Sequence, residues 1–166
     1  MCIRDRVGDG AGNSNDGLDI NLTGDLTLSG DITMGDTSNN AGAVALDGVS
    51  GNIVLSSGGS SDSTTVTIST NASSTDRAIS IGAVEDGGSA LALYLDAGDA
   101  DVTFGSTVGS STAIGALTVL GNDLDLSGGN VEATGDVILV ANNPGADAES
   151  ITFSGRTVDA LSLIHI

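Results

Sequence analysis

Two short Asp-x-Asp units are the residues of this chain whose type and spacing could support chemistry. They are Asp99-Ala100-Asp101 and Asp123-Leu124-Asp125, and two acids separated by one residue point to the same side of an extended strand. Carboxylate oxygens are the ligands that Ca²⁺ prefers in proteins. The candidate Ca²⁺ ligands are therefore Asp99, Asp101, Asp123 and Asp125. The alternative is that these acids are solvated residues of turns and strand edges.

A dedicated calcium-binding repeat would have a longer signature. The nonapeptide of calcium-binding β-rolls needs Gly-Gly-x-Gly-x-Asp in series, and the chain has only a loose echo of it between Gly8 and Asp19. The sequence therefore predicts no cofactor, and bound Ca²⁺ is the alternative that the paired acids leave open.

Paired acids also serve as general acid and base in enzymes that cleave polysaccharides. Sites that act on acidic sugars need a cationic side chain to hold the sugar or to neutralise an enolate. Outside the first and last six residues the only basic side chains are Arg77 and Arg156, and neither stands beside an Asp-x-Asp unit. We therefore predict no catalytic residues and no enzyme activity, with a β-helical polysaccharide-degrading enzyme fragment as an alternative.

The two ends of the chain follow from one DNA string read in opposite directions. Leu161 to Ile166 is the translation of CTG TCT CTT ATA CAC ATC. The reverse complement of that string, read from its internal ATG and completed by one more purine, gives Met1 to Arg6. The string resembles the transposon-end adapter used to prepare sequencing libraries. Residues 1–6 and 161–166 are therefore predicted to be adapter artefacts. They hold the only Cys and the only His, so no thiol or imidazole chemistry is assigned to residues 7–160.

The composition excludes several classes of partner. The chain has 22 Asp and Glu against 4 Lys and Arg, a formal charge of −18 at pH 7. Nucleic acids and anionic lipid headgroups are bound through clustered Lys and Arg, so we predict no nucleic-acid partner. No apolar run approaches the roughly 20 residues that span a bilayer, so we predict no membrane insertion.

Because Lys and Gln are absent and Glu occurs three times, helix formers are scarce and an all-β fold is predicted.

A six-residue pattern recurs along the chain: acid or amide, aliphatic, polar, aliphatic, small residue, turn residue. Its copies begin at Asp19, Asp25, Asp31, Asn52, Asp101, Asp123, Asn130 and Asp136. Each hexad is a short strand with its two aliphatic residues on one face and a corner at its end. A single hexad cannot cover its own apolar face, so the copies must stack in series as a solenoid. Three hexads are predicted to form one triangular coil of roughly 18 residues.

Alternation along these strands assigns side chains to the inside or the outside of the solenoid. The residues predicted to be buried are Leu26, Leu28, Leu124, Leu126, Val137 and Leu139. The residues predicted to point outward from the same strands are Thr27, Asp125 and Ile138.

The cadence of residues 90–143 gives a resemblance to a known family. It runs through Leu93-Tyr94-Leu95-Asp96-Ala97-Gly98, Val102-Thr103-Phe104-Gly105, Ile114-Gly115-Ala116-Leu117-Thr118-Val119 and Val131-Glu132-Ala133-Thr134-Gly135. This cadence resembles the large secreted β-strand-repeat adhesins related to filamentous haemagglutinin. The resemblance implies a right-handed parallel β-helix (β-solenoid), of which residues 7–160 form an incomplete fragment.

The same resemblance implies a role. Such a segment would be a non-enzymatic structural part of an extracellular or bacterial cell-surface protein, an adhesin or stalk. The parent protein would contact surface glycans or proteins of a host or a neighbouring cell. The alternative that the residues leave open is a Ca²⁺-stiffened or glycan-binding β-helical module.

Overall fold

A computed structural model describes residues 17–34, 42–57, 64–72, 75–141 and 150–165. These residues form strands and turns without any helix, so the all-β prediction is confirmed. The strands are β1 (Leu18–Asp19), β2 (Leu26–Leu28), β3 (Ile32–Thr33), β4 (Val44–Leu46), β5 (Asn52–Leu55), β6 (Thr65–Ser69), β7 (Ile79–Ile81), β8 (Ala83–Asp86), β9 (Ala92–Asp96), β10 (Val102–Phe104), β11 (Ala116–Gly121), β12 (Leu124–Asp125), β13 (Val131–Glu132), β14 (Val137–Ala141), β15 (Ile151–Thr152), β16 (Val158–Asp159) and β17 (Leu163–His165).

The strands stack on three sides. The first side is a parallel sheet in the order β1-β4-β7-β10-β12-β15, and the third is a parallel sheet in the order β17-β14-β11-β9-β6-β3. The second side contains β2-β5-β8 and β13-β16, with Val108 bridging Val84 and Val131 between them. Every strand therefore pairs with the strand one coil before or after it, and the chain is a parallel β-solenoid of about five turns.

Three hexads in a row do place one strand on each side. The copies from Asp19 to Asp36 contain β2, β3 and the end of β1, and those from Asp123 to Ala141 contain β12, β13 and β14. The predicted coil length of 18 residues is wrong, however. Register partners are 20 positions apart between Leu117 and Val137 and 36 apart between Ile32 and Ile68. The excess lies between strands, where extra residues do not disturb the ladder.

The core consists of the side chains that point inward from the three sides, and the alternation along each strand determines which side chains these are. All six side chains predicted to be buried are at most 5% exposed, while Thr27 is exposed and Asp125 and Ile138 are partly exposed. The inward and outward assignments are therefore confirmed. In the middle coils each inward side chain lies between its counterparts on the coils before and after it, so burial depends on stacking and a lone coil could not be stable.

Leu163–His165 forms β17, which pairs with β14 on the third side. Its side chains are more exposed than those of the inner coils, since Leu163 and Ile164 are each 44% exposed, and the preceding Leu161 is 79% exposed. Residues 1–6 lie outside the described residues. That both ends are adapter artefacts stays a prediction.

Candidate functional site

Two of the four predicted calcium ligands lie next to each other. Asp101 directly precedes β10 and Asp123 directly precedes β12, and Val102 pairs with Leu124. The two acids therefore occupy the same position on adjacent coils. The Oδ1 atom of Asp101 accepts hydrogen bonds from the side-chain amide of Asn122 at 2.9 Å and from the N–H of Asp123 at 3.3 Å. Asn122 is thus the third polar residue of this corner.

The other two predicted ligands lie apart from this pair. Asp99 is exposed in the turn before β10, and its N–H donates to Asp76 Oδ2 at 2.7 Å. Asp125 lies on the outer face of β12, where it accepts a hydrogen bond from the N–H of Ser127 at 2.8 Å. In the described part of the chain, no three His, Cys, Asp or Glu side chains are grouped so that they could hold a metal ion.

The environment of Asp125 favours its charged form. The hydroxyl of Ser127 lowers the pKa of the carboxyl most, the N–H of Ser127 lowers it further, and burial raises it by less. The net pKa lies below the ordinary value for aspartate. Asp125 is therefore an ionised acceptor for its own turn.

Six of the eight residues that begin the hexads share one structural role. The Asp123 Oδ1 atom accepts hydrogen bonds from the N–H and the hydroxyl of Ser150, both at 2.8 Å and one coil further on. Asp25 accepts in the same way from the N–H of Asn52 at 2.9 Å, and Asp31 from the N–H of Thr67 at 2.8 Å. We name this set the inter-coil acceptors: Asp25, Asp31, Asp101, Asp123, Asn130 and Asp136.

The inter-coil acceptors explain why the first position of the hexad is an acid or an amide. Asn130 accepts from the N–H of Thr157 at 3.2 Å, and Asp136 from the hydroxyl of Ser162 at 2.9 Å. An oxygen at this position satisfies a donor of the next coil. The sequence signal was the repetition itself, since an acid that recurs at one position of a structural repeat has a role in stacking.

Removing one inter-coil acceptor should weaken the fold measurably. We expect Asp123→Ala to lower the free energy of unfolding by about 1 kcal/mol, because the donors of Ser150 lose their acceptor. Asp123→Asn keeps an oxygen at the same place and should have an effect close to zero. Denaturant titration measures both, with Asp159→Ala as a control at an exposed outward position. Equal losses for Asp123→Ala and Asp159→Ala would show that the bonds to Ser150 do not stabilise the fold.

Two further acids are buried, and the repeat pattern did not single them out. Asp86 is 6% exposed and Glu85 is 5% exposed. They end β8, which pairs with β5 so that Leu55 is opposite Asp86. Asp86 therefore takes a position on the inner face, where the other coils have apolar residues. A signal was present, since an acid stands where alternation requires an aliphatic residue, directly before Gly87-Gly88.

The carboxylate of Asp86 is bound by the turn that follows it. Its oxygens accept hydrogen bonds from the N–H groups of Gly88 at 2.6 Å, Ala90 at 3.0 Å and Leu91 at 2.9 Å. The turn is tight, with positive φ at both Gly88 (100°) and Ala90 (51°). Asp86 therefore compensates for its burial by satisfying the donors of the turn that follows it.

The pKa of Asp86 reflects two opposing effects. Burial is the larger single effect and raises the pKa, but the backbone donors together lower it by more. The net pKa lies below the ordinary value. The donors responsible are the N–H groups of Leu91, Ala90, Gly88 and Ser89.

Glu85 is on the outer face of β8 and is covered by a loop of the next coil. Its carboxylate accepts hydrogen bonds from the hydroxyl of Ser110 at 2.8 Å and from the N–H groups of Ser111 at 3.0 Å and Thr112 at 2.8 Å. Both buried acids are thus acceptors for backbone loops. Their arrangement orders the turn after β8 and the loop that contains Ser110 to Thr112.

Comparison with protein-family models, with curated proteins and with solved structures finds no match to this chain. Among the described residues there is no helix long and apolar enough to cross a membrane.

Proposed function

We propose that this chain is a non-enzymatic structural segment of a large extracellular or cell-surface bacterial repeat protein, an adhesin or stalk. The observation that carries the proposal is the use of the acidic side chains. Within residues 7–160, five hexads begin with an oxygen acceptor that bonds to the next coil, and the buried acids Glu85 and Asp86 bind backbone loops. The acidic side chains therefore stabilise the stacking of the coils, as expected of an elongated structural protein.

The proposed location and partners rest on the repeat cadence of residues 90–143 and on the charge of −18. In this proposal the parent protein contacts glycans or proteins on the surface of a host or neighbouring cell, and this segment binds neither nucleic acid nor membrane. The sequence of the uninterrupted parent gene tests it. A secretion signal with further repeats supports the proposal, and an enzyme domain continuous with these coils would favour the polysaccharide-degrading alternative.

A second candidate is a Ca²⁺-stiffened module, and one observation favours it. The Oδ1 atom of Asn122 is buried and has no hydrogen-bond partner, while the amide nitrogen of the same residue bonds to Asp101. An amide oxygen is a suitable oxygen donor for Ca²⁺, and Asn122 directly precedes Asp123 in the chain. In this alternative the ion would be held by Asp101, Asp123 and Asn122, whereas Asp99 and Asp125 lie apart from these three residues.

Calorimetry with and without Ca²⁺ separates the two candidates. For a plain structural segment we expect millimolar Ca²⁺ to change the melting temperature no more than Mg²⁺ at the same concentration does, because screening of the acidic surface is common to both ions. A ligand bound only by the folded state raises the melting temperature by mass action. A Ca²⁺-specific rise that Asp123→Asn abolishes would therefore replace the first proposal with the second.

A further inference from the structure

The outer face of the third side carries a group of apolar side chains. Tyr94 of β9, Leu120 of β11 and the β14 residues Ile138 and Val140 lie at outward positions and are partly exposed. The register places them side by side, because Val140 is opposite Leu120 and Thr118 lies between Ile138 and Tyr94. We name these five residues the lateral patch: Tyr94, Thr118, Leu120, Ile138 and Val140.

The lateral patch takes no part in the core. Among the described residues, neither the core side chains nor the partly buried apolar ones that pack against them include Leu120, Ile138 or Val140. The strand β14, Val137–Ala141, is an unbroken apolar run, and such runs are typical of strands that are covered on both faces. The core covers the inner face of β14, so a second cover is expected over its outer face.

Among the described strands, the other two sides have no comparable surface. The outward side chains of the first side are small or polar: Asp19, Ala45, Ser80, Thr103, Asp125 and Thr152. Those of the second side are Thr27, Glu85, Glu132 and Asp159, with Val54 as the one apolar residue. An apolar patch confined to one face and bordered by polar residues is typical of a site for another molecule.

The position of the lateral patch does not depend on where the chain begins or ends. The strand β9 lies between β6 and β11, and β11 lies between β9 and β14, so both are in the middle of the third side. Ile164 of β17 continues the row of Ile138, but it belongs to residues 161–166 and is not part of the lateral patch. A longer solenoid would keep the same side chains on its outer surface.

The charges around the lateral patch select the kind of partner. Asp96 is opposite Leu120 on the same outer face, and the exposed Asp136 directly precedes β14. None of the four Arg residues of the chain lies in β6, β9, β11 or β14, and Lys is absent, so the same face of a second copy has no cation to offer. A partner with apolar residues at its centre and Lys or Arg at its edges complements both features.

We propose that the lateral patch docks an amphipathic segment of another protein, with aliphatic side chains over Leu120, Ile138 and Val140 and with Lys or Arg beside the bordering acids. Aliphatic side chains outnumber the single aromatic ring of the patch, which favours a protein surface over a sugar. This interaction goes beyond the proposed structural role. That role rests on the inter-coil acceptors and is unaffected if the docking fails.

The fluorescence of Tyr94 tests the proposal directly, because the chain has one Tyr and no Trp. The probe is a synthetic helical peptide of Leu and Lys with one apolar face, and its scrambled counterpart has the same composition and charge. On titration of the full chain we expect a saturable change in Tyr94 emission with the amphipathic peptide and binding about tenfold weaker with the scrambled one. Equal binding of the two peptides would mean attraction by the acidic surface alone and would overturn the proposal.

Matched variants locate the contact. Ile138→Thr combined with Val140→Thr should weaken binding of the amphipathic peptide about tenfold. Circular dichroism and melting temperature should change little, because both side chains point away from the core and Thr is a good strand residue. Val54→Thr makes a similar change on the second side, and Ile164→Ser removes the apolar side chain of residues 161–166 that continues the row. Both should bind like the parent chain, and an equal loss of binding in either one would overturn the proposal.

Two other occupants of the lateral patch would give different results. If a second copy covers the patch, Tyr94 emission and the average mass should both change as the chain alone is concentrated. If the patch binds a sugar, Tyr94 emission should respond to a neutral polysaccharide such as dextran and not to the amphipathic peptide. Either result would overturn the docking of a cationic amphipathic segment.

Discussion

Leu126→Asp is expected to lower the free energy of unfolding by about 4 kcal/mol or more. Leu126 is fully buried on the first side. The register places it between Phe104 on the coil before and Phe153 on the coil after. A carboxylate there would be buried among apolar side chains without a donor, and both neighbouring coils would lose a contact.

The adjacent residue provides the matched control. Asp125 points outward from the same strand and accepts a hydrogen bond from Ser127. Asp125→Asn keeps an acceptor oxygen and removes one of the 22 acidic residues, so its effect on stability should be within about 0.5 kcal/mol. Denaturant titration of both variants decides the matter. Losses of equal size, or a larger loss at Asp125, would mean that the inner and outer faces are reversed.

Asp86→Ala is expected to cost about 3 kcal/mol, because the N–H groups of Gly88, Ala90 and Leu91 lose their acceptor in a buried turn. Asp86→Asn should cost less but should not be silent. Its single amide oxygen can satisfy the donors on one side only, while its NH₂ group faces another N–H group. Urea titration at neutral pH gives both values, and Asp19→Ala at an exposed outward position is the control. A loss at Asp86 no larger than at Asp19 would show that the turn does not depend on the carboxylate.

Asp86 also predicts a dependence on pH. Its pKa is lowered in the folded chain relative to about 3.9 in an unfolded one. The stability it contributes is therefore complete above the unfolded pKa and is lost as the pH falls through the lowered folded value. The difference in unfolding free energy between the parent chain and Asp86→Asn should be constant from pH 7 to about pH 5 and should shrink below about pH 4. A difference that grows on acidification would contradict this assignment.

The sequence was sufficient to predict which side chains of the strands face the core and which face outward. Alternation has a fixed period of two residues, and burial of one face leaves a single choice at each position. This is why alternation alone could place Leu26, Leu28 and Leu126 inside the solenoid. The ends of strands are less well determined: the alternation from Ala90 to Leu95 alone favours a strand that begins at Ala90. The strand β9 begins at Ala92, because Ala90 has positive φ within the turn that Asp86 binds.

Coil length and the contacts between coils could not be predicted in the same way. Corners tolerate insertions at little free-energy cost, so nothing in a hexad fixes how many residues separate it from the next coil. The bond from Asp123 to Ser150 joins residues 27 positions apart, and such a partner can be identified only when the register is known. The recurrence of carboxylates could therefore be seen in the sequence, while their function as acceptors could be identified only from the structure.

The parallel stacking of coils has a mechanical consequence. Tension applied along the solenoid axis acts on the terminal coil first, so ladders break one after another instead of sharing the load. A coil contributes only about 4.8 Å of length while stacked. With 20 to 36 residues per coil, its release would add roughly 70 to 130 Å of extended chain. Such a molecule would yield stepwise under force and recover by rewinding, as an extensible tether does.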